Sequence, residues 1–203
     1  LVKREVVRVV SPGPLVDSNF LEANEPSFLL SLAEYSNKSL VGAALLDIST
    51  GEFTAAEYAG PEGLSALNDE IAIMKPREVV ISTGSSIPNQ LPEILSLKLL
   101  VTEAVTQAFD IEVASQALLD HLGILDLEGF DLHNYPAATR AAGGLLAHLR
   151  TSHRANLSHI RTINIKTTTD CLVLDSITLK HLEVITGTDG SLKGSLLSEI
   201  DRT

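Results

Sequence analysis

One cysteine in 203 residues, Cys171, excludes an internal disulfide framework and any Cys-x-x-Cys metal site, because both need thiols in pairs. The lone thiol fits a reducing compartment, so the cytoplasm is the expected location, with Cys171 a small apolar filler in a strand. Basic side chains are scarce as well. Lys and Arg total 15 against 26 Asp and Glu, a formal charge of −11, whereas gripping a phosphate backbone takes clustered cations that displace its counterions. Direct nucleic-acid binding by this chain is therefore not expected. No run approaches the roughly 18 consecutive apolar residues of a membrane helix, and the opening LVKREVVRVV interleaves charge with valine, unlike a signal peptide. No G-x-x-x-x-G-K-[ST] loop occurs, so the usual backbone cradle and lysine for nucleotide phosphates are not encoded here. The chain begins without Met, on a residue that reads as mid-strand, and stops in LLSEIDRT with a helical pattern barely closed. It is expected to be a piece of a longer protein.

What is present is enough apolar content, 44%, for one core of about 130 residues and a remainder. The runs SFLLSLAEY (27–35) and SLVGAALLDIST (39–50) flank the polar turn Ser36-Asn37-Lys38 and predict a hairpin. Both alternating sets of the second run are apolar, as in a strand covered on two faces. EFTAAEYAG predicts a third strand. The period then changes: PEGLSALNDEIAIMK places Leu64, Leu67, Ile71 and Met74 on one helical face, with Pro61 and Glu62 suited to the first turn and Pro76 as the stop. REVVIST reads as a short strand, NQLPEILS as a brief helical segment and KLLVTEAV as another strand. DIEVASQALLDHLG predicts a helix with Val113, Ala114, Ala117, Leu118 and Leu122 inward, Glu112, Gln116 and Asp120 outward, and Gly123 as its C-terminal cap. A last helix, PAATRAAGGLLAHLRTS, buries Ala141, Leu145, Leu146 and Leu149, and Gly143 and Gly144 permit close packing. Three antiparallel strands followed by helix, strand, helix, strand, helix is the order of a ribonuclease-H-like α/β domain with a mixed sheet. Beyond it, SHIRTINIKTTTDCLVLD reads as extended. SITLKHLEVI then predicts a helix with Ser176 as cap and Ile177, Leu182 and Ile185 inward, and residues 186–195 are expected to be the loosest internal stretch. A second, mainly helical unit is expected from about residue 155.

That fold also hosts nucleases, which need several carboxylates converging on two metal ions. Of the three places where such enzymes carry acids, the first strand offers Glu34 near its end and the first helix offers Glu70, but the fourth strand ends in Ser82 and Thr83. A nuclease is thus the lesser alternative, beside an acidic protein-binding module of another kind. His148, His153 and His159 are close in sequence, yet residues five apart on a helix point about 140° away from each other, which suits a shared metal poorly. Asp47 precedes Ser49, Thr50 and Gly51, and Asp, Ser and Thr bond their own nearby backbone N–H groups, so Asp47, Ser49 and Gly51 read as a structural turn.

The same segments carry a family resemblance. LLDISTGEF, FDIEVASQALLDHLG, LEGFDL and AAGGLLAHLRTSHRANLSHI resemble, in chain order, the connector domain of the bacterial MutS mismatch-repair family. LVKREVVRVVSPG is similar to the family's exit from its mismatch-recognition domain, and LVLDSITLKHLEVI with GSLLSEIDRT to the opening of its core, or lever, domain. The resemblance implies three parts: 1–24 leaving the mismatch-recognition domain, 25–154 the connector, and 155–203 the start of the core. It further implies a non-enzymatic piece that links mismatch recognition to the ATPase and clamp domains and helps dock MutL. The longer protein would bind mismatched DNA, ATP and Mg through its other domains and work as a homodimer, with no membrane and no cofactor in this segment. Within FDIEVASQALL, Gln116 matches a position the family uses around its MutL contact. Its neighbours Ala117, Glu112 and Asp120 complete the candidate partner-binding set, although Ala117 departs from the polar residue often found there.

Overall fold

The structure is a computed structural model that describes residues 27–35, 40–152, 157–167, 178, 181–184, 187, 191 and 194–200. Strands β1 (Phe28–Tyr35), β2 (Leu40–Asp47) and β3 (Phe53–Ala59) form an antiparallel meander. Helix α1 (Gly60–Met74) leads to β4 (Glu78–Ser82), and α2 (Pro92–Ser96) to β5 (Leu100–Ala104). Helices α3 (Ile111–Leu122) and α4 (Pro136–Ser152) follow, then the two-residue β6 (Asn164–Ile165). The sheet order is β5-β4-β1-β2-β3-β6, with β4 and β5 parallel to β1 and β6 parallel to β3. A central first strand, a meander on one side and parallel strands on the other is the ribonuclease-H-like arrangement expected from the order of periods.

Because successive side chains on a strand point to opposite faces, two apolar sets per strand imply two cores, and two exist. Leu29, Ala33, Ala44, Leu46, Phe53 and Val80 face α3 and α4. Leu30, Leu32, Val41, Ala56, Val79 and Ile81 face Leu67 and Ile71 of α1 and Ile94 of α2. The sandwich is therefore three layers, α/β/α, and α1 runs as its apolar spacing predicts until Lys75, which takes a left-handed conformation (φ 45°) just before Pro76.

Helix α4 is the most buried helix, and its seat on the sheet is made by small residues. A Cβ built on Gly42 of β2 would lie 1.9 Å from the Ala137 carbonyl oxygen, so only a bare Cα lets the first turn of α4 touch the strand. Glu57 of β3 closes the same junction: its Oε1 accepts from the backbone N–H of Ala137 at 2.6 Å and of Ala138 at 3.2 Å. These are orphan donors of a helix start, where a carboxylate is also favoured by the helix dipole. Farther along, a Cβ on Gly143 would come within 2.4 Å of the Ala114 backbone and one on Gly144 within 2.5 Å of the Phe109 ring, so α3 and the turn before it pack directly on the α4 backbone. Near its other end α4 sets His148 Nε2 3.3 Å from Oε1 of the fully buried Glu78 of β4.

The stretch after α4 contributes to this core as well. Leu157, Ile160 and Ile163 are buried in the α3/α4 cluster, and Lys166 N–H donates to the Ala55 carbonyl as β6 pairs with β3. The extended reading of 158–175 narrows to the β6 pairing among described residues. The turn at 36–38, the Cys171 segment and most of the helix at 176–185 and of the stretch 186–195 lie outside the described residues. Thr178 is helical with its carbonyl accepting from Leu182 N–H, and a short α5 (Leu196–Ile200) ends the described chain.

Two substitutions test these contacts by thermal or denaturant unfolding. Gly42→Ala should cost about 3 kcal/mol, since an overpacked methyl here meets backbone that cannot rotate away. His148→Leu should cost a similar amount, about 3 kcal/mol, by leaving the Glu78 carboxylate buried without its imidazole.

Candidate partner-docking face and the Asp47 turn

Helix α3 begins after Asp110, whose carbonyl accepts from Ala114 N–H at 2.8 Å, and ends at Gly123 in a left-handed conformation (φ 68°). It leans on one neighbour, α4, so its buried arc is narrow: Ala114 and Leu118 are fully buried, while His121 is part-buried with Nε2 3.0 Å from the Ile160 carbonyl oxygen. Burial and the nearby Arg150 and His159 together depress the His121 pKa, against a raising effect of the Ile160 carbonyl.

The outward side of α3 carries Glu112, Gln116 and Asp120, all exposed, with Ala117 half-buried at the border. Gln116 Nε2 donates to Asp120 Oδ1 at 2.7 Å. Val113 corrects the sequence reading. It was expected inward with Ala114 and Leu118, but it is 47% exposed. At about 100° per residue it lies about 100° from Ala114 and 140° from Leu118, outside the arc that a single packing partner can cover.

The Asp47 turn is built from local acceptors. Asp47 Oδ1 accepts from Ser49 N–H at 2.8 Å and from Ser49 Oγ at 2.6 Å, and Gly51 N–H donates to the Asp47 carbonyl at 2.8 Å, with Gly51 at φ 79°. The same carboxylate also takes Ser27 N–H at 3.3 Å, from just before β1. On the turn's other side His159 Nε2 lies 3.0 Å from the Ile48 carbonyl oxygen, and a Cβ on Gly51 would meet the His159 backbone at 3.0 Å. Thus Ser27, next to the start of β1, and His159, beyond α4, meet at one turn. Burial pushes the Asp47 pKa up, but the donors of Ser49, Thr50 and Ser27 together hold it below the ordinary 3.8.

The remaining sequence candidates are dispersed among separate partners. Glu34 Oε1 accepts from the Ser85 hydroxyl at 3.3 Å and the Ser86 hydroxyl at 3.5 Å. Glu70 pairs with Lys166 at 3.2 Å and bonds Tyr58, whose hydroxyl pKa is pushed up by burial first and then by the Glu70 charge. Thr83 Oγ1 donates to the Ala104 carbonyl, and Ser82 accepts through its own carbonyl from Ser85 N–H. His148 faces Glu78 and His159 faces the Asp47 turn, while His153 lies outside the described residues. Among the described residues no three His, Cys, Asp or Glu side chains are grouped to hold a metal ion. No helix there is long and apolar enough to cross a membrane. A cleft of about 220 Å³ lies between α1 and the sheet, floored by Leu30, Ala43 and Leu45, with the Glu70–Lys166 pair among its lining residues.

Residues 27–161 match the family model described as MutS domain II. The chain belongs to the MutS domain II family. Its whole length aligns with the DNA mismatch repair protein MutS of Symbiobacterium thermophilum at 36% identity, of Dehalococcoides mccartyi at 35% and of Methanococcoides burtonii at 31%. It spans 23% of the length of each of these relatives. The family match thus begins at Ser27, the residue bonded to Asp47, and ends just beyond His159, so both sides of the Asp47 turn lie within MutS domain II.

Sequence reasoning missed the Glu57 clamp, the Glu78–His148 pair and the exposure of Val113. An acid in mid-strand between Ala56 and Tyr58 was a visible signal for Glu57, but nothing in the spacing named its partner 80 residues away.

Asp47→Ala should lower stability by about 2 kcal/mol, the scale for hydrogen bonds to a charged acceptor. The sign of its pH dependence follows from the depressed pKa. The Asp47 contribution is complete above the unfolded value and is lost as pH falls below 3.8 through the folded value. In Asp47→Asn the acid limb of an unfolding-midpoint profile should accordingly flatten below that pH, and an unchanged acid limb would show that the turn does not depend on the charge.

Proposed function

We propose that this chain is the connector of a longer mismatch repair protein, linking mismatch recognition on one side to the ATPase and clamp domains on the other, and docking MutL through α3. It has no reaction centre of its own in this reading. Mismatched DNA, ATP and Mg are handled by other domains of a homodimeric, cytoplasmic protein, and the core domain of that protein starts within the 155–203 segment.

The observation that carries the reading is the meeting of both ends of the matched domain, Ser27 and His159, at the Asp47 turn, in a domain of the MutS domain II family. A linking domain must transmit displacement, and a packed α/β sandwich is bistable or rigid and not continuously deformable. With Ser27 on one side of the turn and His159 on the other, a pull on one end of the connector acts directly on the other. Docking through α3 is supported by Gln116, Glu112 and Asp120 standing exposed on a helix whose opposite side is locked to α4. A helix held that firmly presents a preformed surface, which reduces the ordering cost of association.

Titration of MutL against the chain tests the docking. Gln116→Ala should weaken binding about five- to tenfold, the worth of roughly 1 kcal/mol of hydrogen bonding. Undiminished affinity would remove Gln116 from the contact. A gel shift with mismatched duplex should give no salt-sensitive complex with this chain alone, as its charge predicts.

A further inference from the structure

Strand β5 ends the sheet on the side away from β6, and no strand of the described residues pairs with its outer side. A strand residue sends its N–H and C=O to the same side, and its two neighbours send theirs to the other. The Ala104 carbonyl accepts from Thr83 N–H at 3.0 Å, toward β4. Leu100 and Thr102 therefore also direct their backbone groups at β4, in the parallel register that sets Glu78 against Leu100 and Ser82 against Ala104. Val101 and Glu103 direct theirs outward. Two donors and two acceptors along an open edge are the pattern to which a further strand adds.

Exposed apolar side chains flank this edge. Leu95, Leu97 and Leu100 stand at its start, and Val105, 70% exposed, at its end. An apolar edge of that kind invites pairing with its own copy. Glu103 opposes it, as the exposed and single charged side chain of the strand. Two copies joined antiparallel about Thr102 would set Val101 opposite Glu103 twice and bring the two Glu103 carboxylates into diagonal neighbourhood, on chains that each carry a charge of −11. The carboxylate that repels a like strand attracts a cationic one. Val101 shares its face of the strand with Glu103 and packs against the α1 and α2 cluster, so the cation would lie on that side of the sheet.

We propose that the β5 edge takes an extended segment of another protein that carries Lys or Arg against Glu103. The outward backbone groups of Val101 and Glu103 supply the hydrogen bonds. Glu103 selects, admitting a cation and rejecting a second copy of this chain. Helix α3 takes no part in this contact.

The probes are two short labelled peptides alternating threonine and valine, one with a central lysine and the other with glutamate in its place, titrated against the full chain. The lysine peptide should bind about fivefold more tightly than its twin, and Glu103→Lys should reverse that order. Hydrogen exchange at the Val101 and Glu103 amides should slow when the lysine peptide is bound. Val101→Pro removes one outward N–H and leaves the bonds to β4 in place, as proline at a sheet edge allows, and should weaken the lysine peptide by about tenfold or more with little change in Tm. Equal binding of the two peptides to the unaltered chain, or unslowed exchange at both amides, would overturn the proposal whether or not the proline variant folds. Full affinity in a folded Val101→Pro chain would do the same. If sedimentation shows that the unaltered chain self-associates and Val101→Pro abolishes that, the edge belongs to a second copy and the proposal is likewise overturned.

Discussion

The contact between the first turn of α4 and Gly42 is the constraint on which the rest of the domain depends. Backbone meets backbone there, and Glu57 from the adjacent strand holds the exposed N–H groups of that turn. Position and direction of α4 follow from it. With α4 fixed, Gly143 and Gly144 admit Ala114 and the Phe109 ring, so the placement of α3 follows in turn. Arg140 strengthens the same joint by donating to the carbonyls of Phe109 and Glu34. The candidate docking face thus points outward because a glycine in the sheet beneath lets α4 sit close. Close packing transmits such constraints since the interior has little free volume to absorb a shift.

Acidic residues dominate this chain, yet the structure uses many of them as acceptors or ion-pair partners inside the fold. Glu57 holds a helix start, Asp47 a turn, Glu70 a lysine and a tyrosine, Glu34 two serine hydroxyls, and Glu78 a histidine. Carboxylates spread over five separate sets of partners are a scaffold. Glu112 and Asp120 differ from them in standing exposed on a helix with a rigid back, which is why they enter the reading of a partner surface. The Asp47 turn has a second role by position, since it ties the residues before β1 to those after α4. Under the proposed linking role, such a tie would shorten the mechanical path between the ends of the domain.

Much of the fold was legible in the sequence. The change from a two-residue to a 3.6-residue apolar period marked the meander, α1 and the later helices, because those periods reflect local backbone geometry and every residue reports on them. Pro61, Pro76, Gly123 and Pro136 punctuate helices by the same local logic. The candidate face was only partly legible. Glu112, Gln116 and Asp120 fell on one side by spacing alone, but Val113 was assigned to the wrong side, because period cannot tell how wide an arc the neighbouring elements will cover.

By itself, then, the sequence determined the element order, the two-faced burial of the strands and the turn chemistry at Asp47, all of which follow from interactions between residues near in the chain. Only the tertiary structure decided that Glu57 would clamp α4, that Glu78 would face His148, that Gly42 would be the seat of a helix, and that Val113 would remain in solvent. Each of those depends on which segments the sheet topology brings side by side, and no residue carries that information within reach of its own neighbours.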